Sequence, residues 1–138
     1  MFLLDTNVIS ELRRPDRADR NVLAWANAVP ATNFFMSAIS ILEIEVGARL
    51  IERKDATQGA VLRAWIDGQI LARFEGRILA IDTAVAQRCA QLHVPNPRAE
   101  RDALIAATAL VHGLTVVTRN VGDFEPTGVP LLNPWGAG

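Results

Sequence analysis

Residues 2–7 read Phe-Leu-Leu-Asp-Thr-Asn, so an acidic residue directly follows a short apolar run. The run from Phe2 to Leu4 is typical of a buried strand, and a helical pattern from about Asn7 to Arg13 comes after it. In an open parallel sheet, ligands gather beyond the carboxyl ends of the strands. Asp5 therefore either holds a ligand at such an end or caps the helix that begins near Asn7.

Short apolar runs alternate with helical patterns along the rest of the chain. Three further strands are predicted at Asn33 to Ser37, Ile78 to Ile81 and Thr115 to Thr118. Helices are predicted around them, over Asp19 to Ala28, Ile39 to Arg53, Ala56 to Phe74, Asp82 or Thr83 to His93, and Arg98 to Gly113. This alternation predicts an α/β fold with a central, mainly parallel sheet flanked by helices.

Two further features concern the ends of these elements. Ser37 or Ser40 is expected near the N-cap of the helix that starts at Ile39. The tail from Gly128 to Gly138 is rich in Pro and Gly and is expected to pack Leu131, Leu132 and Trp135 back onto the body.

Length and composition limit the possible classes of protein. A chain of 138 residues that is 50% hydrophobic is expected to form a single domain over residues 1–138. The net charge of -1 gives no overall attraction for a nucleic acid, so any such binding must be local. Cys89 is the only cysteine, which excludes a disulfide within the chain. The N-terminus lacks a signal-peptide pattern, and a soluble, cytoplasmic protein is expected.

Glu43 occupies an unusual position for an acidic residue. At 100° per residue it shares a helical stripe with Ile39, Val46 and Leu50, so its carboxylate is expected to point inward. A buried carboxylate is costly unless it is paired, protonated or bound to metal. An internal ion pair with an arginine and a metal site both remain open.

Two later acids have equally local explanations. Asp102 begins a stripe that continues through Ile105, Ala106 and Ala109, so it is expected on the side of its helix that packs against the sheet. A first-turn acid favoured by the helix dipole would explain Asp102 as well. Asp123 follows the last predicted strand, where a surface turn would also explain it.

The four acids together point to one site more simply than four separate local explanations do. They lie beyond strand ends or on inward helix faces, where their negative charges would repel one another unless a cation offset them. Carboxylate oxygens suit Mg²⁺ or Mn²⁺, as one or two ions. His93 and His112 are isolated in the sequence, so no pattern of zinc ligands is present.

Four motifs in order resemble the PIN-domain family, and within it the VapC-like and FitB-like toxins of type II toxin-antitoxin pairs. They are Leu3-Leu4-Asp5-Thr6-Asn7, Ser40-Ile41-Leu42-Glu43-Ile44, Arg101-Asp102-Ala103-Leu104-Ile105-Ala106-Ala107, and Thr118-Arg119-Asn120 with Asp123-Phe124. The resemblance covers nearly the whole chain, including the closing Leu132-Asn133-Pro134-Trp135. It implies that Asp5, Glu43, Asp102 and Asp123 form the acidic metal site, with Asp123 at the most variable position.

The resemblance also implies supporting roles for polar residues next to these acids. Thr6 or Asn7 would bind nearby phosphate or water, and Thr118 and Asn120 would shape the floor of the pocket. The candidate contacts to the RNA backbone are Arg13, Arg14, Arg17, Arg20 and Arg119. For the first four, a solvated loop explains the arginines equally well.

A metal-dependent endoribonuclease is the function implied by this resemblance. Metal would activate a water that hydrolyses the phosphodiester bond and leaves a 3′-hydroxyl and a 5′-phosphate. The family also implies a cognate antitoxin that inhibits the enzyme, a homodimer, and assembly of both into a larger toxin-antitoxin complex.

Two other functions are compatible with part of the pattern. A non-catalytic module of the same fold would bind RNA or protein, but it would have no need of four acids. An aspartyl-phosphate phosphatase also places an Asp after its first strand, but it uses a second Asp two residues later, where this chain has Asn7. It also uses a lysine near the phosphate, and the chain has only Lys54, at a charged helix end.

Overall fold

A five-stranded, fully parallel sheet lies at the centre of the computed structural model, which describes residues 1–136. The strands are β1 (Phe2–Leu4), β2 (Phe34–Ser37), β3 (Ile78–Leu79), β4 (Thr115–Val117) and β5 (Leu131–Leu132). Their order across the sheet is β3-β2-β1-β4-β5, and every neighbouring pair is parallel. The predicted α/β class with a mainly parallel sheet is confirmed.

Seven α-helices flank the sheet within residues 1–136. They are α1 (Thr6–Leu12), α2 (Arg20–Ala28), α3 (Ala38–Lys54), α4 (Ala56–Trp65), α5 (Thr83–Leu92), α6 (Glu100–His112) and α7 (Val121–Phe124). Ser37 caps α3, because its hydroxyl accepts a hydrogen bond from the Ile39 N–H at 3.0 Å. Gly113 ends α6 with a φ of 68°, the left-handed conformation that glycine adopts at low cost.

Each face of the sheet carries its own hydrophobic cluster, because successive side chains of a strand point to opposite faces. Leu3 and Val116 pack with Val85 of α5 and Ile105 of α6 on one face. Leu4 and Val117 pack on the other face in the cluster that includes Val8 and Ile9 of α1 and Ile44 of α3. Because β1 and β4 are covered on both faces, their carboxyl ends are held in fixed positions.

The chain reverses its direction across the sheet next to β1. After β1 it forms β2 and then β3 on one side, and it crosses to β4 on the other side. The backbone N–H of Asp5 donates to the Val117 carbonyl at 2.9 Å, so the end of β1 is tied to the end of β4. Such a switch point leaves a crevice beyond the strand ends.

Two parts of the fold differ from the sequence-based expectation. The helix expected from Ala56 to Phe74 is α-helical only to Trp65 and continues as a π-helical segment over Ile66–Leu71, which buries Ile66 and Ile70. The tail packs back as expected, and part of it adds the strand β5 to the sheet. Residues 137 and 138 of that predicted tail lie outside the described part.

Within residues 1–136 no helix is both long and apolar enough to span a bilayer.

Candidate active site

A cavity of about 530 Å³ opens at the carboxyl ends of β1 and β4. Three of the four predicted acids share its wall, and their side chains come from the end of β1, from α3 and from α6. The lining residues are Asp5, Thr6, Asn7, Ser10, Glu11, Glu43, Asp102, Arg119, Asn120 and Trp135. The structure therefore brings together acids that lie far apart in the sequence.

Asp5 caps α1, as one of the two sequence-based explanations predicts, and it also lines the cavity. Its Oδ1 accepts the Thr6 N–H at 2.8 Å, and its Oδ2 accepts the Thr118 hydroxyl at 2.9 Å. Burial raises the pKa of Asp5 to about 6, against the lowering effect of the hydrogen bonds from Thr118 and Thr6. The charges of Asp102 and Glu43 raise the pKa further.

Glu43 is half-buried at the edge of the cavity. Its Oε1 accepts the Thr6 hydroxyl at 2.7 Å, and its Oε2 lies 3.8 Å from the exposed Arg101 guanidinium. The ion pair with an arginine that the sequence left open is therefore present, but the distance between its charged atoms is long. Glu43 therefore lines the cavity with a carboxylate whose Oε1 is held in place by Thr6.

The prediction that Val46 and Leu50 lie on the inward face of α3 is wrong. Val46 is 39% exposed and Leu50 is 58% exposed, whereas Ser40, Ile44 and Ala48 are buried. The helix packs through this neighbouring stripe, where two of the three side chains are small and allow close approach. Glu43 borders the buried stripe, which explains why it reaches the cavity without being fully enclosed.

Asp102 lies in the first turn of α6 and is half-buried. Burial raises its pKa, and the charges of Asp123 and Glu43 raise it further. Asp123 lies in the short helix α7, is exposed, and is not among the residues that line the cavity. It is thus near enough to act on Asp102 electrostatically but lies at the margin of the site.

Thr118 and Asn7 connect the supporting residues into one hydrogen-bonded network. The buried Thr118 hydroxyl also accepts the Asn120 N–H at 3.0 Å and lies 3.3 Å from Asn7 Nδ2. Asn7 Oδ1 accepts the Arg119 N–H at 3.4 Å. The network fastens the loop after β4 to the first turn of α1, beneath the acids.

The candidate arginines separate into two groups. Arg119 lines the acidic cavity, whereas Arg13, Arg14, Arg17 and Arg20 do not. Arg13 lies over the Trp65 ring, 5.9 Å from the ring centroid, and Arg14, Arg17 and Arg20 are exposed. The simple explanation of a solvated segment fits these three.

Sequence reasoning missed three residues that line the cavity, namely Ser10, Glu11 and Trp135. Ser10 and Glu11 lie three and four positions after Asn7 on α1, and this helical spacing could have indicated them. Trp135 was expected only to pack against the body, and no local pattern indicated that β5 delivers it to the site.

His93 is not isolated, contrary to the expectation from the sequence. Its Nδ1 accepts the Arg98 N–H at 3.1 Å, and Nε2 lies 3.3 Å from Glu100 Oε2 without hydrogen-bond geometry. Cys89, His93 and Glu100 offer potential ligand atoms within 4.8 Å of one another. Because Nδ1 accepts a hydrogen bond, neutral His93 carries its proton on Nε2 and has no lone pair there for a metal.

The chain belongs to the PIN domain family, whose pattern matches residues 2–126. It is 39% identical to Toxin FitB of Neisseria gonorrhoeae, over 98% of this chain and 99% of that protein. It is 34% identical to a VapC ribonuclease of Sinorhizobium fredii, over 98% of each.

Solved structures agree with the fold over the full length. FitAcB from Neisseria gonorrhoeae superposes with a TM-score of 0.90 at 38% identity, covering 99% of each chain. A toxin-antitoxin complex from Klebsiella pneumoniae superposes with a TM-score of 0.67 at 29% identity, covering 97% of this chain and 98% of that one.

Proposed function

We propose that this chain is a metal-dependent endoribonuclease and the toxin of a toxin-antitoxin pair, acting as one nuclease domain in the cytoplasm. The relatives named a toxin and a VapC ribonuclease match over nearly their whole length, which supports this assignment. The observation that carries it is the meeting of Asp5, Glu43 and Asp102 in one cavity at the switch point of the sheet.

The charge balance of the cavity favours a bound cation. The ion pairs within residues 1–136 give Glu43 a partner only at 3.8 Å and give none to Asp5 or Asp102. Burial is the main cause of the raised pKa values of Asp5 and Asp102, and the negative charges of the neighbouring acids raise both further. A divalent cation would remove the repulsion that these carboxylates exert on one another.

The donor set fits a hard cation such as Mg²⁺ or Mn²⁺, as one or two ions. Asp5, Glu43 and Asp102 offer carboxylate oxygens, and no histidine or cysteine lines the cavity within residues 1–136. Asp123 would act from the margin of the site. When bound, such a cation would supply Lewis-acid activation of water and neutralise charge on the scissile phosphate.

The protein itself would orient the acids and hold the RNA. Thr118 and the Thr6 N–H fix the two oxygens of Asp5, and the Thr6 hydroxyl fixes one oxygen of Glu43. We therefore assign Thr6 and Asn7 positioning roles, because their polar side-chain atoms are engaged within the chain. Arg119 remains the candidate contact for a phosphate.

An antitoxin is the proposed protein partner. Structural relatives include a toxin-antitoxin complex, and the cavity offers an arginine a set of acids to pair with. An antitoxin segment that places an arginine there would compete with the metal as well as cover the site. A second copy of the chain is the further partner that we propose.

The function is tested by incubating the purified protein with a panel of single-stranded and structured RNAs in Mg²⁺, Mn²⁺ or chelator. We expect cleavage with either metal and none with chelator. Glu43→Gln should abolish cleavage, whereas Glu52→Gln, the same change at an exposed position of α3, should not. Equal cleavage with chelator, or by Glu43→Gln, would contradict the proposal.

The phosphatase alternative finds no support in the cavity. A lysine would be needed near the phosphate, and no lysine lines the cavity within residues 1–136. Asn7, which replaces the second Asp of that mechanism, instead lies within hydrogen-bonding distance of Asp5 and Thr118, at 3.4 and 3.3 Å.

A further inference from the structure

We propose that Trp135 and Arg119 form a platform next to the scissile phosphate, where a base of single-stranded RNA stacks against the Trp135 indole and Arg119 contacts a backbone phosphate. The inference rests on the proposed ribonuclease function and adds to it how the substrate is held. Both residues line the cavity that contains Asp5, Glu43 and Asp102. The Arg119 guanidinium lies over the Trp135 ring, 5.4 Å from its centroid.

Trp135 is fixed in position although it lies near the end of the chain. The backbone N–H of Trp135 donates to Asn133 Oδ1 at 2.9 Å, and its backbone carbonyl accepts a hydrogen bond from Asn21 Nδ2 of α2 at 3.3 Å. The preceding strand β5 pairs with β4, and the Thr118 N–H donates to the Leu132 carbonyl at 3.0 Å. These contacts anchor the backbone at Trp135 to both the sheet and α2.

The indole has two distinct environments. Part of it packs against the hydrophobic cluster on one face of the sheet, and the half-buried side chain also contributes to the cavity wall. A tryptophan needed only for the core would not have to reach a polar cavity. An aromatic face at such a place is suited to stacking of an unpaired base, which tolerates different base sequences.

Arg119 is a cation beside several acids, yet its guanidinium forms no ion pair with a carboxylate in the described residues 1–136. Its backbone N–H is tied to Asn7 Oδ1, so the start of the side chain is fixed relative to α1. Stacking on Trp135 keeps the guanidinium available for a phosphate. The pair therefore combines a base-stacking surface with a phosphate contact.

The size of the cavity is compatible with this occupant. At about 530 Å³ it falls within the range of pockets that enclose small ligands of nucleotide size. A duplex keeps its bases stacked on each other, so the platform would favour single-stranded RNA or loops. The platform would contribute to binding and to the choice of cleavage position, not to bond breaking.

The test measures binding of a fluorescein-labelled single-stranded RNA that the wild type cleaves. An Asp102→Asn background prevents cleavage during the measurement. Trp135→Leu should weaken binding about 10-fold, and Trp135→Phe should retain part of the affinity. Trp65→Leu is the matched control, because Trp65 is also half-buried beneath an arginine but lies outside the acidic cavity.

RNA in which single nucleotides around the cleaved bond lack their base provides a second arm that needs no change at Trp135. One such abasic position should weaken binding to the Asp102→Asn protein about 10-fold and should have no further effect on Trp135→Leu. Arg119→Gln should weaken the binding of intact and abasic RNA alike. It should also reduce the magnitude of the negative slope of log affinity against log salt concentration by about 1. Trp135→Leu should leave that slope unchanged.

The outcomes separate the two levels of the proposal. If the wild type cleaves RNA but every abasic RNA binds as tightly as intact RNA, the platform is wrong and the nuclease assignment stands. The same conclusion follows if Trp135→Leu folds and binds with unchanged affinity. If the wild type cleaves no RNA with any metal, both the proposed function and the platform fail.

Discussion

The Thr6 hydroxyl lies 2.7 Å from Glu43 Oε1 and 3.0 Å from the buried Ser40 hydroxyl, which joins the first turn of α1 to α3. A hydroxyl has a single proton, and the charged oxygen at the shorter distance is the stronger acceptor. Thr6 therefore donates to Glu43 and accepts from Ser40. Glu43 is thus held by a chain of two hydroxyls that begins inside the core.

Thr6→Val should lower RNA cleavage about 10-fold without unfolding the protein, because a residue that orients a metal-binding carboxylate usually contributes 10-fold to 100-fold. Thr6→Ser keeps the hydroxyl and should restore most of the activity. Thr83→Val is a matched control, since Thr83 begins α5 after a capping Asp as Thr6 begins α1, but it is exposed. Unchanged kinetics in Thr6→Val would remove this role from Thr6.

Asp5→Asn should stabilise the metal-free protein above about pH 6. The folded-state pKa of Asp5 is raised from 3.8 to about 6, so the folded state favours the protonated carboxyl. The stabilisation that this proton gives to the folded state is complete below pH 3.8 and is lost as pH rises through about 6. The loss corresponds to about 3 kcal/mol in the free energy of unfolding. Denaturant titrations with chelator at pH 4 and pH 8 would measure it for both proteins.

The informative quantity in these titrations is the stability difference between wild type and Asp5→Asn at each pH. It should shift in favour of Asp5→Asn on going from pH 4 to pH 8. Asp82→Asn controls for the loss of a capping carboxylate, because the exposed Asp82 caps α5 through the Val85 N–H. A difference that does not change with pH would contradict the raised pKa of Asp5 in the folded protein.

Neither histidine should take part in the reaction, because none lines the acidic cavity within residues 1–136. His112→Gln and His93→Gln should keep the turnover number of the wild type. His93→Gln should lose about 1 kcal/mol of stability, since His93 accepts the Arg98 N–H near the start of α6. Kinetics and product end groups would be measured together, with 5′-phosphate ends expected throughout.

Inhibition by the antitoxin should depend on metal concentration if an antitoxin arginine occupies the acidic cavity. Raising Mg²⁺ should then partly restore cleavage by the purified complex, because both cations compete for the same carboxylates. Replacing that arginine should weaken inhibition more than it weakens binding. Inhibition that is insensitive to both changes would show that coverage alone blocks the enzyme.

The sequence predicted the features that depend on short-range patterns. β1 and β2 are found within one residue of the predicted bounds, and the Gly113 stop of α6 is found where expected. Asp5 could be placed at a strand end because an apolar run and a helix start are adjacent in the sequence. These signals reflect local backbone preferences and burial periods that a single segment contains.

The remaining features depend on contacts between distant segments. The core stripe of α3 could not be chosen, because two helical stripes of this helix carry apolar residues and only packing selects Ile44 over Val46. β5 has two residues and forms only because β4 offers an edge to pair with. Trp135 reaches the site through that pairing, so its place could not be predicted locally.

The most direct test of the account is the single-turnover rate of RNA cleavage by wild type and by the carboxylate variants at saturating Mg²⁺. Asp5→Asn and Asp102→Asn should show no cleavage while remaining folded, and Asp123→Asn should cleave with weakened metal affinity. Asp82→Asn, which removes a capping carboxylate outside the cavity, should cleave as the wild type does. Wild-type rates in Asp5→Asn or Asp102→Asn would contradict the claim that these acids hold the catalytic metal.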